Sequence, residues 1–204
     1  MHTPASPRLT AFAGKRQVAA GPLHTVAQTL KELVTRDPDA QILIFDDASG
    51  SQVDLNLHGS LADVLQRLPQ PRTAAPAPSQ DAPAPARTAG RPKLGVVARE
   101  ITLLPRHWEW LATQPGGASV ALRRLVEHAQ RGNKAHDEQR QAREAAYKVM
   151  SALAGDAPGF EEASRALFAG KQAAFLACVQ EWPADVREHV LQLAQRGWLE
   201  SEER

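Results

Sequence analysis

Apolar positions alternate in short runs near the start of the chain and recur at helical spacing through its second half. Leu9-Thr10-Ala11-Phe12-Ala13, then Gly14, then Arg16-Gln17-Val18-Ala19-Ala20 predicts a hairpin ended by Gly21-Pro22. Thr25 and Gln28 have capping-box spacing. Val26, Leu30, Leu33 and Val34 mark one face of a helix that stops before Asp37-Pro38. Ile42-Leu43-Ile44-Phe45 predicts a buried strand, and Asp46–Ser51 is turn chemistry. Val53, Leu55 and Leu57 alternate with Asp54, Asn56 and His58, which predicts a fourth strand with one wet face. Ser60 with Asp63 opens a short helix carrying Leu61, Val64, Leu65 and Leu68. The expected order over residues 1–68 is β-β-α-β-β-α.

Residues 69–93 break the pattern. Seven of the fifteen prolines fall in these 25 positions, mixed with alanine, which predicts a linker without a core. Residues 94–204 are then expected to form a mostly helical domain with one strand, over Gly95–Leu104. Pro105 opens a helix through Trp108 and Leu111, broken at Pro115-Gly116-Gly117. Ser119 caps the next helix. Its stripe Leu122, Leu125, Val126, Ala129 follows i, i+3, i+4, i+7 and predicts a buried face, with an end at Gly132-Asn133. A longer helix over His136–Ala154 turns Ala142, Ala145, Val149 and Leu153 inward and Arg140, Arg143 and Lys148 outward. Three shorter helices follow near Phe160–Ala169, Lys171–Glu181 and Pro183–Arg196. The fold class is α+β.

Charge changes this picture. The formal total is +1, but residues 87–148 hold twelve Lys/Arg against six Asp/Glu, a net of +6. The flanking stretches, 1–86 and 149–204, are mildly acidic at −1 and −4. A basic centre between acidic ends is the footprint of an anionic partner, nucleic acid first, or of a solvated Arg-rich helical surface.

The strand, helix, glycine turn and helix over 95–130 are similar to the ribbon-helix-helix fold of small bacterial repressors. The matching residues are Val97–Leu104, Pro105 at the first helical position, Pro115-Gly116-Gly117, and Ser119-Val120. The resemblance implies a dimer whose paired strands enter the major groove. It makes Arg99 a ribbon reader, the amides of Ser119 and Val120 a phosphate clamp, and Arg106, Arg123 and Arg124 further contacts to DNA. The ribbon phase departs from the family. Thr102 and Glu100 stand where its members carry apolar residues, while Val97, Ile101 and Leu103 fall on the opposite face. Either the strand carries a bulge, or it packs inside a larger domain.

Nearly end to end, the chain also resembles an uncharacterised bacterial family catalogued as a domain of unknown function. The residues that carry this are Phe12-Ala13-Gly14, Ile44-Phe45-Asp46-Asp47, Gly90-Arg91-Pro92-Lys93, Leu104–Leu111 and Trp182–Arg187. The resemblance implies a bacterial cytoplasmic protein and lends no mechanism.

Enzymatic chemistry finds no foothold in the motifs. H-E-x-x-H, G-x-S-x-G and a P-loop are absent, and the seven histidines are scattered. His128 and His136, on either side of the expected helix break, are the one pair that could approach. Asp46, Asp47, Ser49 and Asp54 lack the closing Glu of a calcium loop. No catalytic, cofactor or metal residue is expected. The single Cys178 and an N-terminus without a signal pattern fit a reducing cytoplasm. No uncharged apolar run approaches the roughly 20 residues of a membrane helix. Trp108 and Trp110, two residues apart, cannot share a helical face, so one is expected in the core and one toward a cleft or partner. The expected function is a non-enzymatic regulator that binds DNA as a dimer through its basic segment. The alternative is a protein-interaction module with no nucleic-acid role.

Overall fold

Gly14 turns the chain in the left-handed region (φ 59°) and closes the expected hairpin. A computed structural model describes residues 8–69, 97 and 99–198. Strand β1 (Arg8–Ala13) pairs antiparallel with β2 (Arg16–Pro22), with a register shift between Ala11 and Phe12. Strand β3 (Ile42–Asp46) pairs antiparallel with the other edge of β1, giving the sheet order β2-β1-β3. Helix α1 (Leu23–Arg36) connects β2 to β3. Helix α2 (Leu61–Arg67) follows, closed by a capping box in which Ser60 and Asp63 bond reciprocally. The remaining helices are α3 (Pro105–Ala112), α4 (Gly117–Ala154), α5 (Phe160–Phe168), α6 (Gln172–Cys178) and α7 (Ala184–Gln195). The class is α+β: a three-stranded antiparallel sheet followed by a mostly helical region.

The chain forms two compact units, Met1–Pro71 with Asn133–Arg204 and Arg72–Gly132. In the larger unit the sheet is buried on both faces, and the period of two in a strand explains how. Leu9 and Ala11 of β1 and Ile44 of β3 pack with Val26 and Leu30 of α1. Phe12 and Phe45, on the other face, join the main core. That core contains Val149, Met150 and Leu153 of α4, Leu167 of α5, Phe175 of α6, and Val186, Val190 and Leu193 of α7. Trp182 and Trp198 plug its ends, and the Trp182 indole N–H donates to the Pro158 carbonyl at 2.9 Å. Gly50 sits in the turn after β3 at φ 64°, where a Cβ would lie 2.6 Å from the Ala145 Cα of α4. Only glycine admits that approach.

Four local expectations change. Helix α1 begins two residues before Thr25, with Pro22 as its N-cap and no side-chain cap bond, so Thr25 and Gln28 do not form a capping box. The fourth strand over Val53–Leu57 is absent. One bridge, Phe45 to Gln52, and the bond from the Val53 N–H to the Ile44 carbonyl hold an otherwise irregular segment. Its apolar residues still turn inward, Val53, Leu55 and Leu57 packing near Leu9 and Leu30. The alternation therefore reported burial without a ladder. Helix α4 runs through Gly132-Asn133 without a break. A helical glycine costs only about 1 kcal/mol, and the turns on either side carry the ladder across it. His128 and His136 therefore lie on one continuous helix, both exposed. Arg143, expected outward, is half-buried and donates to the Gly197 carbonyl at 3.0 Å. The linker over 69–93 lies, from residue 70 onward, outside the described residues. No helix among the described residues is long and apolar enough to cross a membrane.

Candidate nucleic-acid interface

Pro105 takes the first position of α3, where its missing N–H costs nothing. Leu104 before it is extended at φ −65°, ψ 148°, as a residue preceding proline should be. Helix α3 ends at Thr113. Gly116 and Gly117, at φ 84° and 75°, then reverse the chain into α4. Two successive left-handed residues explain the glycine pair. Because α4 starts at Gly117 rather than after a Ser119 cap, Ser119 falls in its first turn with a free amide. The helical ladder engages the amide of Val120.

Arg99, Arg106, Arg123 and Arg124 are all exposed, as is Ser119, and Val120 is half-buried. Among the described residues none of these four arginines forms an ion pair. Glu127 is taken instead by Arg131, at 4.0 Å. Arg124 lines a groove of about 510 Å³ with Trp110, Gln114, Leu125, His128 and Arg131. Arg106 lies one helical turn before Trp110 on α3, so the two share a face. Arg124 and Arg131 are the arginines that line this groove; Arg99, Arg106 and Arg123 are not among its lining residues. Ser119 with Arg123, and Val120 with Arg124, form successive i, i+4 pairs along the start of α4.

Two features of this unit differ from expectation. The expected strand over Val97–Leu104 is not formed: residues 99–104 have no regular structure, and all except Leu103 are exposed. A strand needs a ladder partner, and no described segment supplies one. Within α4 the stripe is present in sequence but uncovered. Leu125 is 47% exposed and Val126 55%, while Leu122 is half-buried. Leu111 and Ala121 are the buried residues between α3 and α4. Trp108 and Trp110 are both exposed, so neither is the core anchor expected of one of them.

The larger unit holds a site that the sequence motifs missed. Asp47 and His189 are buried side by side, with His189 Nε2 3.8 Å from Asp47 Oδ1. The Thr10 hydroxyl donates to Asp47 Oδ1 at 2.8 Å, and Arg8 Nε stands 3.7 Å from Oδ2. Arg196 donates to the Asp47 carbonyl at 3.1 Å. Burial holds the His189 imidazole below its ordinary value. The Asp47 charge opposes that shift and Arg196 adds to it. The available signal was a lone histidine on the apolar stripe of α7, between Val186, Val190 and Leu193. Asp46, next door, is a turn residue: its Oδ1 accepts from the Ala48 and Ser49 amides and the Ser49 hydroxyl. Among the described residues no cluster of three or more His, Cys, Asp or Glu is placed to hold a metal.

Compared with known families, the chain matches over residues 8–194 the family described as "Uncharacterized protein conserved in bacteria (DUF2239)". No curated protein and no solved structure matches it.

Proposed function

The chain belongs to this bacterial family, and we propose that it is a regulator that binds DNA as a homodimer through residues 97–131. The observation that carries this reading is the paired deficit of the smaller unit. It has a segment, residues 99–104, without regular structure and without a ladder partner among the described residues, and an apolar helical stripe that stays exposed at Leu125 and Val126. A second copy meets both needs at once. Strand pairs with strand, and α3 and α4 of each copy cover the other's stripe. The four arginines without ion pairs then have anionic partners in the phosphates of the duplex. Arg99 lies on the segment that would form the ribbon. Ser119 offers a free amide at a helix N-terminus, with Val120 behind it.

Sedimentation should show a dimer. Binding of a fluorescent duplex should weaken steeply with salt, with a log-log slope of about −0.9 per phosphate contact. The double change Arg123→Ala with Arg124→Ala should flatten that slope by about two units. A chain that stays monomeric, or that leaves the duplex unbound at low salt, overturns the proposal.

Trp108 and Trp110 favour a second reading. Exposed tryptophans are unusual on a monomer surface and common at protein interfaces. If duplex is not bound, a protein-interaction module using the same face becomes the leading function.

A further inference from the structure

The strongest unassigned feature lies in the larger unit, where the sheet meets α7. His189 is 2% exposed, and its Nε2 has no hydrogen-bond partner. The 3.8 Å to Asp47 Oδ1 exceeds hydrogen-bond range. That oxygen already accepts from the Thr10 hydroxyl. A buried, unpartnered polar atom is costly and needs an explanation. Here it lies at a seam between β1, the turn after β3, and α7, with the Phe12 ring 5.5 Å from the imidazole.

We propose that His189 is a proton-operated latch between α7 and the N-terminal sheet, closed when the imidazole is neutral and opened when it is protonated. The charges at the seam set the direction. The Asp47 carboxylate already faces the Arg8 guanidinium of β1, and Arg196, just past α7, donates to the backbone carbonyl of the same residue. An imidazolium would add a third cation where water does not reach. Among the described residues no other carboxylate lies within ion-pair distance of His189. Asp185 of α7 accepts from the Gln17 amide of β2, and Glu188 is exposed. Arg16 of β2 is exposed, and Arg143 of α4 is turned to the Gly197 carbonyl. Because the bond between Gln17 and Asp185 holds the start of α7, release begins at its C-terminal half, around Leu193 and Arg196.

The sign follows from linkage. Burial holds the folded-state value below that of the unfolded chain, so the unfolded chain takes up the proton first. The stability contributed by neutral His189 is full above the ordinary histidine value of about 6.5. It is lost as pH falls from there toward the depressed value.

The test uses the full chain. Ring signals of His189 should titrate below the ordinary histidine value. Exchange-corrected amide protection in α7 should fall ahead of that in α5 as the solution is acidified. The thermal midpoint should drop by roughly a few degrees over the same interval, and His189→Gln should flatten that drop. An imidazole that titrates at or above the ordinary value overturns the latch. So does α7 protection that falls only together with α5. If His189→Gln fails to fold, the ring titration and the exchange order on the unaltered chain decide the matter.

Discussion

Helix α4 holds two kinds of apolar stripe on one continuous rod. In its first half, within the smaller unit, Leu122, Leu125 and Val126 keep helical spacing, yet Leu125 is 47% and Val126 55% exposed. In its second half, within the larger unit, Ala145, Val149, Met150 and Leu153 keep the same spacing and are at most 5% exposed. The difference is not in the helix. It lies in what the described residues bring to each half: sheet, α5, α6 and α7 to the second, and a single short helix to the first. Periodicity tells which face must be covered and says nothing of what covers it. On the proposed function, a stripe left uncovered among the described residues, beside arginines with no ion pair there, is where a partner would dock. A covered one is architecture.

The largest effect that would sharpen this contrast is at Gly50. A side chain there meets the Ala145 backbone, and the left-handed φ of 64° is itself unfavourable to any other residue. Gly50→Ala should cost about 2–6 kcal/mol, from about 1–3 of backbone strain and about 1–3 of overpacking. Denaturant unfolding measures it. A loss below about 1 kcal/mol would mean that the turn after β3 is not seated on α4.

The next comparison sets one leucine from each unit against the other. Leu167→Ala, in the main core, should lose about 2–5 kcal/mol at any protein concentration. Leu125→Ala should lose less than about 1 kcal/mol in dilute solution, because its side chain is half in water already. At concentrations where a dimer forms, the Leu125 change should cost more and the midpoint should lose its concentration dependence. Equal losses in dilute solution would place Leu125 in a core and dissolve the contrast between the two halves of α4.

How much of this was legible from sequence follows the same line. The hairpin, α1, β3, the capped α2 and the helical second half were readable, because period and local chemistry act within a few residues. The sharing of one core by Phe12 and Phe45 with α4–α7 was not readable. It joins positions more than a hundred residues apart and leaves no periodic trace. Val53–Leu57 showed alternation because its apolar residues are half-buried against the core, and alternation cannot distinguish a laddered strand from an irregular one. Gly132-Asn133 had the chemistry of a helix end, but nothing in the sequence weighs one local glycine against 38 residues of cooperative ladder. Among candidate sites, the positions of the arginines were readable and their lack of ion pairs was not. Asp47 was visible only as turn chemistry, since its partner His189 lies 142 positions on.

The smallest effect concerns one helix start taken from each unit, α2 and α3. In the larger unit the Ser60 hydroxyl accepts from the Asp63 amide at 3.2 Å, and Asp63 Oδ2 accepts from the Ser60 amide at 2.8 Å. Helix α3 in the smaller unit has Leu104 as its N-cap and no side-chain cap bond. Ser60→Ala should therefore cost about 1 kcal/mol. Hydrogen bonds from the Ser60 hydroxyl and amide hold the Asp63 carboxyl below its usual range. The folded value is depressed, so this support is present above the ordinary carboxylate value. It is lost as pH falls through the folded one. The Ser60→Ala penalty should accordingly shrink in acid, while Leu104→Ala, with no cap to lose, should show no such dependence. Thermal unfolding of both variants at neutral and acidic pH makes the measurement. A Ser60→Ala penalty that persists unchanged in acid would show that the cap works without the carboxylate.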